Sequence, residues 1–480
     1  MKYKGILSGV KWTIFSSIFL AILQIIQLVI IARFISKEDF GVVSIVIVFI
    51  GFLQIFMDAG ISNAVIHAKK ISGIEVSSLF WLNIFIAIFL MSIIYFSSGV
   101  IATFYNNNSI KMILYYLSFI LLAGGVGVLY KTFFQKDLYF GLMGKIDIVS
   151  ALLSFFVTYF LAIYSYGVYA LISGVLVGAI FSGITYFYLG VKQYGYPRFL
   201  FSFNSIKNFL SFGFYQLGER NFIYIVSQMD TLIIGKILGM NDVGLYGIAK
   251  NITLKIINLV NPVISRINLP LMVKATNDVE LKNQYLFSVQ LVSFILAPIL
   301  ILILNFSHSI ILILFGSKWV DAVPVLQLLC VYMYIRSVGS SVGAVLLAKN
   351  KPKIGFYWNM IILFLMPIVI LIGAKYKLVG VCYGLILFII LLKMLEYLFI
   401  IKRNLDIVFF DFLDKNFRAF YIALLALISV YFYSIELVFW DFLVRGIQFV
   451  FIYLFLTFFF NKEILLNVKN NLGFNWNRSG

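Results

Sequence analysis

Apolar residues in this chain run in long unbroken stretches, separated by short polar or charged punctuation, from Trp12 almost to the C-terminus. Each stretch approaches the roughly 20 residues that a helix needs to cross a bilayer. The runs do not alternate at period two, so they predict transmembrane helices and exclude the strands of a membrane barrel. At that length criterion about fourteen spans are expected, centred near residues 22, 53, 87, 121, 155, 179, 225, 256, 295, 335, 364, 390, 426 and 450. Glu436 and Asp441 separate the last two only briefly. The first run is too long for a signal-peptide core and is expected to stay as a span.

Composition agrees with the pattern. The chain is 62% hydrophobic and 12% charged, with mean hydropathy +1.04, more apolar surface than a water-soluble domain can hide. A net charge of +18 would point to nucleic acid in a soluble protein, but here its placement decides. With an inside N-terminus, only Arg33, Lys37, Lys111, Lys236, Lys318, Lys375 and Lys377 fall in outer loops. Far more fall inside, from Lys2 and Lys4 through Lys349, Lys351 and Lys353 to Arg478. This asymmetry follows the positive-inside rule and places both termini in the cytoplasm. Nucleic acid is therefore not an expected partner. Cys330 and Cys382 lie in apolar stretches and read as inert core thiols.

The chain also repeats itself. IIARFISKEDFGVVSI, residues 30–45, aligns without gaps on IIGKILGMNDVGLYGI, residues 233–248, at an offset of 203 (236 minus 33). Identities include Asp39/Asp242 and Gly41/Gly244, and Arg33/Lys236 is conservative. A second match, at offset 213, sets FFQKD (133–137) against LLAKN (346–350). Six spans separate the copies, so both have the same orientation, related by a pseudo-two-fold along the membrane normal. The expected architecture is an all-α integral membrane protein: an N-lobe of six helices (1–190), a basic cytoplasmic linker (191–207), a C-lobe of six helices (208–403), and two additional helices with a tail (404–480). The linker VKQYGYPRFLFSFNSIK interleaves Phe and Leu with basic residues and reads as an amphipathic surface piece. No loop is long enough for a catalytic domain.

Polar residues inside spans are costly and mark partners or wet cavities. Thr13, Ser17, Gln24 and Gln27 form one helical stripe, and Gly51, Gln54, Asp58 and Ser62 another. The seventh span carries Glu219, Arg220 and Asp230; the eighth carries Lys250, Lys255 and Arg266; the tenth carries Arg336. Such groups either lock helices together or line a cavity. Cations outnumber acids, and a basic cavity suits an anionic phosphate or pyrophosphate group. The substrate-cavity candidates are Arg220, Lys250, Lys255, Arg266, Arg336, Gln24, Gln27 and Gln54, with Asp58, Glu219 and Asp230 as candidates for coupling to H+ or Na+. Lys393 with Glu396, and Asp147 beside Lys145, read as structural pairs; His67 and His308 read as solvated loop edges. Gly174-x-x-x-Gly178 and Gly339-x-x-x-Gly343 read as close-packing faces. No phosphate-binding loop or metal-ligand cluster is present in the sequence, so no cofactor is expected.

ARFISKEDFGVVSI, FMDAGISNAVIH, FGFYQLGERNFIYIVSQMDTLIIGKILGMNDVGLYGIAKNI and FGSKWVDAVPVLQLL together resemble the polysaccharide-transporter branch of the MOP superfamily, the Wzx-type and teichuronic-acid-type exporters. The resemblance implies two six-helix lobes around a central cavity. It also implies a flippase, not an enzyme, that moves undecaprenyl-pyrophosphate-linked oligosaccharide repeat units to the outer leaflet by alternating access. Membrane lipids and a polymerase of the same surface-polysaccharide pathway, such as O-antigen or lipopolysaccharide assembly, are the implied partners. Asp58, Asp230 and Lys250 lie at matching motif positions; Arg220, Lys255, Arg266 and Arg336 rest on the stripes alone. The competing readings are a multidrug exporter, which should show an acid-dominated cavity, a lipid II flippase, and a pathway enzyme. The one candidate carboxylate pair for an enzyme, Glu38-Asp39, aligns with Asn241-Asp242, which favours a turn and helix-cap role.

Overall fold

A computed structural model of the chain describes residues 2–464, apart from 59–60, 69–70, 276, 433–437 and 463. Among the described residues the secondary structure is helical throughout, and the chain packs as two units, Met1–Gly244 and Leu245–Gly480. Twelve of the described helices are long and apolar enough to cross a membrane. The protein is therefore a multi-pass, all-α membrane protein.

The first unit contains α1 (Lys2–Phe34), α2 (Lys37–Asp58), α3 (Ile61–His67), α4 (Gly73–Phe104), α5 (Ser109–Lys136), α6 (Phe140–Ile163), α7 (Val168–Tyr194), α8 (Phe203–Ile237) and the first turn of α9 (Met240–Lys274). Its core gathers Phe80 of α4, Tyr130 and Phe134 of α5, Tyr186 of α7 and Ile206 of α8. Helix α8 packs along α2, α3 and α4, which is why the packing division falls at Gly244 and not in the linker at which the repeat changes copy. Glycines let α6 and α7 approach: a Cβ on Gly174 would lie 2.5 Å from the Ser154 carbonyl and on top of Thr158 Oγ1, and Ser150 Oγ donates to Gly178 O at 2.7 Å. Close packing of this kind substitutes for the hydrophobic drive that lipid does not supply.

The linker forms no helix of its own between α7 and α8. Helix α7 ends where Gly195 takes φ +92°, a left-handed value that glycine adopts without strain. Residues 195–202 then run without helix to α8. Helix α4 takes up their backbone: Trp81 Nε1 donates to Arg198 O at 2.8 Å, while Arg198 N and Ser202 N donate to Ser77 Oγ and Ser78 Oγ at 3.0 and 2.9 Å. Phe199 stacks on Trp81 with ring centroids 4.8 Å apart.

The second unit continues α9 and adds α10 (Asp278–Asn305), α11 (Ser307–Phe315), α12 (Val323–Val338), α13 (Val342–Ala348), α14 (Pro352–Ala374), α15 (Lys377–Glu396), α16 (Lys402–Leu405), α17 (Phe409–Ile428) and α18 (Val438–Phe460). Inside it, Ser293 and Tyr334 both donate to Asn416 O at 2.8 and 2.7 Å, and Gln290 Nε2 donates to Asn461 Oδ1 at 2.8 Å. These bonds tie α10 to α12, α17 and the end of α18. Lys393 pairs with the buried Glu396, and the pair sits where Gly339 carries no side chain. A Cβ on Gly343 would meet nothing within 4 Å, so only the first glycine of that pair faces a close neighbour. Cys330 and Cys382 are buried.

All fourteen expected span centres fall inside helices, but the count of membrane-crossing helices among the described residues is twelve. The two remaining are α8 and α17. Helix α17 carries Asp411, Asp414, Lys415 and Arg418 in its first half, and α8 carries Lys207, Glu219, Arg220, Asp230 and Lys236. Many outward positions elsewhere carry large apolar side chains, as lipid contact favours: Phe96 is 80% exposed and Phe451 74%.

Candidate functional site

The repeat identified in sequence recurs as geometry. Helix α1 ends at Phe34 and α8 at Ile237; α2 starts at Lys37 and α9 at Met240, each pair offset by the same 203 residues (237 minus 34, 240 minus 37). The turn bonds repeat as well. Ile35 N donates to Ile31 O at 3.0 Å and Leu238 N to Ile234 O at 2.8 Å; Phe40 N donates to Ser36 O at 3.1 Å and Val243 N to Gly239 O at 3.2 Å. The second match is shifted by one residue. Tyr139 N bonds Phe134 O and Lys351 N bonds Leu346 O, across left-handed Leu138 (φ 62°) and Asn350 (φ 55°). Both are Schellman-type helix ends, equivalent at an offset of 212 instead of 213.

The two elbows, residues 34–41 and 237–244, meet each other. A Cβ on Gly41 would fall on the Met240 carbonyl and 3.1 Å from Gly244 N; a Cβ on Gly244 would fall on the Lys37 carbonyl, with the carbonyl carbon 2.9 Å away. Because 37 matches 240 and 41 matches 244, the contact is reciprocal, as in an isologous two-fold interface. Glycine inside a helix costs about 0.5–1 kcal/mol relative to alanine. Its recurrence four residues into both helices is explained by this backbone approach. The sequence comparison found both glycines but not their meeting; the signal was a helix-weakening residue at the same place in both copies.

The turn between α4 and α5 braces both elbows. Asn107 Nδ2 donates to Glu38 Oε1 at 2.9 Å on the first. On the second, Lys236 Nζ donates to Phe104 O at 2.5 Å and lies over the Phe104 ring, and Tyr105 OH donates to Leu232 O at 3.2 Å. Burial pushes the Tyr105 phenol up to about 12, so it remains a donor through the physiological range. Asp39 accepts from Ser36 Oγ at 2.8 Å while its own N–H donates to Ser36 Oγ at 3.0 Å, a cap at the start of α2. Glu38 and Asp39 thus serve the turn, as the repeat comparison favours. Farther along α2, Gly51 leaves room for Tyr224 of α8, whose hydroxyl donates to Val48 O at 3.1 Å.

The predicted stripes are placed as follows. Helix α2 ends at Asp58 and Ser62 belongs to α3, where it bonds Thr132 at 2.8 Å, so the Gly51–Ser62 stripe is split between two helices. Gln54 and Gln24 are exposed. Gln27 donates to Thr158 Oγ1 of α6 at 2.8 Å. Asp230 is 1% exposed and accepts from Thr231 N at 2.6 Å and from Thr231 Oγ1 at 3.2 Å. Lys250 is buried over the Tyr246 ring, 5.7 Å from its centroid. It lies six residues, ~9 Å, along α9 from Gly244. Lys255 is half-buried, eleven residues or ~17 Å along, and forms no ion pair with a described residue. Arg336 is half-buried on α12. The side chains of Asp58, Glu219, Arg220 and Arg266 lie outside the described residues. Asp147 pairs with Lys131 at 3.6 Å and accepts from Tyr186 OH at 3.0 Å, while Lys145 lies over Trp12. His67 and His308 are exposed. No metal-binding cluster occurs among the described residues.

Comparison with known proteins decides the family. Residues 30–324, more than half of the chain, match the profile described as polysaccharide biosynthesis protein. The chain belongs to the polysaccharide biosynthesis protein family. Within that family, it is 29% identical over 427 residues to the lipopolysaccharide biosynthesis protein WzxC of Escherichia coli K12, covering 88% of this chain and 87% of that one. It is 30% identical over 367 residues to the teichuronic acid biosynthesis protein TuaB of Bacillus subtilis 168, covering 75% of each. Among solved structures, the inward closed conformation of the lipid II flippase MurJ matches with TM-score 0.76 at 17% identity, over 94% of this chain and 99% of that one. This last likeness is one of fold. The family assignment bears out the resemblance to the polysaccharide-transporter branch.

Proposed function

We propose that this protein is a flippase that carries polyprenyl-pyrophosphate-linked oligosaccharide repeat units from the cytoplasmic to the outer leaflet of a bacterial inner membrane, with both termini in the cytoplasm. It works by alternating access, serves surface polysaccharide assembly such as O-antigen or lipopolysaccharide, and performs no covalent chemistry of its own. The names of its relatives, in lipopolysaccharide and teichuronic acid biosynthesis, support a surface-polysaccharide substrate. The structural observation that carries the mechanism is the reciprocal elbow contact.

On the orientation read from the loop charges, the elbows lie at the outer face. A backbone-to-backbone glycine seal there closes the path outward. Lys250 and Lys255, ~9 and ~17 Å inward along α9 from Gly244, then meet the pyrophosphate and acidic sugars, and Arg336 of α12 is the proposed third cation. Asp230, a nearly inaccessible carboxylate, is the proposed site for H+ or Na+ coupling. A polymerase of the same pathway takes the product.

The primary test is reconstitution in vesicles with a labelled polyprenyl-pyrophosphate glycan; absence of protein-dependent movement between leaflets would overturn the reading, and transport of a small drug instead would transfer it to the multidrug class. The elbow is tested with Ile45→Cys, a fully buried position against Gly235. Labelling by a water-soluble thiol reagent should be slow at rest and quicken when the lipid-linked substrate is added. Transport that proceeds with no labelling in either condition removes the elbow as the moving closure.

A further inference from the structure

Helices α14 and α15 border an open apolar trough of about 690 Å³ that does not belong to the transport path described above. The tight turn at 375–377 closes one end, with Lys377 in the left-handed region (φ 61°) and Tyr376 N donating to Gly373 O at 2.9 Å. Below the turn the helices touch at Gly373, where a Cβ would lie 2.7 Å from Gly380 O. From there a trough runs along α15 past Tyr383, Gly384 and Leu387 to Leu391. Tyr383, Leu387 and Leu391 are each more than half exposed, so the trough opens sideways to whatever surrounds the helices.

Two quantities identify the occupant. From Val379 to Leu391 is twelve residues, ~18 Å along the helix axis. One leaflet of hydrocarbon is about 15 Å, half of a roughly 30 Å core. The trough therefore matches one leaflet, the length of an ordinary acyl chain, and is too short for a long polyprenyl tail. Its closed end is flanked by Lys375 and Lys377, both exposed and without an ion pair among the described residues. They are two of the seven cations assigned to outer loops, on a face otherwise depleted of positive charge. We propose that this trough is a binding site for an acidic phospholipid of the outer leaflet, one acyl chain lying between α14 and α15 and the headgroup phosphate held by Lys375 and Lys377. The ammonium groups supply charge attraction to the phosphate, and Tyr376 and Tyr383 place amphipathic rings at the headgroup level and just beneath it.

The test uses the purified full-length chain in detergent, titrated with phosphatidylglycerol and with phosphatidylcholine of the same acyl chains, and read by native mass spectrometry. Wild type should hold one phosphatidylglycerol on the order of tenfold more tightly than phosphatidylcholine. The double variant Lys375→Glu, Lys377→Glu, at exposed turn positions that leave the core untouched, should abolish the preference while phosphatidylcholine binding stays as in wild type. Gly384→Leu should fill the trough and weaken both lipids. Equal binding of the two lipids by wild type, or a preference that survives the double charge reversal, overturns the proposal. So does displacement of phosphatidylglycerol by polyprenyl phosphate at equal concentration, which would assign the trough to the carrier lipid, or a lipid-independent dimer that Gly384→Leu dissociates, which would assign it to a second copy.

Discussion

The two elbows reach one geometry by different chemistry. In the first, Ser36 caps α2 through a side-chain exchange with Asp39; in the second, the same position is Gly239, with φ +92°. One elbow is fixed by a hydrogen bond, the other by a backbone conformation that a side chain would strain. What the copies share is the glycine four residues into the next helix and the carbonyl it rests on. The difference teaches that the meeting of the elbows is what both copies preserve, and that the local means of turning the chain is free to drift.

The severest break of this comparison is Gly41→Leu or Gly244→Leu. Each should force the elbows apart, cost about 1–3 kcal/mol or more in stability through overpacking, and abolish restoration of surface polysaccharide in a deletion strain. Gly41→Ala and Gly244→Ala should act in the same direction more weakly, and the double variant should cost less than the sum, because both report on one contact. Thermal unfolding of the purified chain measures both. Next comes Gly239→Ala, which should cost about 1–2 kcal/mol because a Cβ disfavours the left-handed region. At Ser36 the loss should be smaller: about 1 kcal/mol for Ser36→Ala and a few tenths for Ser36→Gly, since glycine is itself a tolerated cap. If Ser36→Gly proves as costly as Gly239→Ala, the two elbows are not free to differ as described. The smallest effect sharpens the contrast between glycines that pack and glycines that do not. Gly343→Ala has open space around it and should stabilise by roughly 0.5–1 kcal/mol through helix propensity. Gly174→Ala, against Thr158 and Ser154, should destabilise.

Much of the fold was legible because bilayer thickness writes itself directly into run length. The helix ends at 34/37 and 237/240 both fall inside the one ungapped match, since a turn that must present a glycine to its twin tolerates no insertion. What could not be read were the partners of individual polar groups. Asp147 was paired in sequence with its neighbour Lys145, but on a helix residues two apart point away from each other. Its partners are Lys131 and Tyr186, brought in from α5 and α7 by packing. Gln27 and Ser62 likewise looked like members of polar stripes, and each is engaged by a hydroxyl on another helix. The linker's Phe and Leu pattern says nothing of its backbone, which leaves the helix at Gly195 and is taken up by the side chains of Ser77, Ser78 and Trp81. Helix α17 shows the limit of counting, because charge in its first half and apolar residues in its second give one helix two characters.

A surface that fits itself requires only one sequence to arise. A six-span ancestor carrying the Gly41-type elbow would make the same contact with a second copy of itself, every change in the turn being felt on both sides at once. In one chain each side of such a contact can vary alone: Ser36 on one elbow and Gly239 on the other differ, and the two glycines do not.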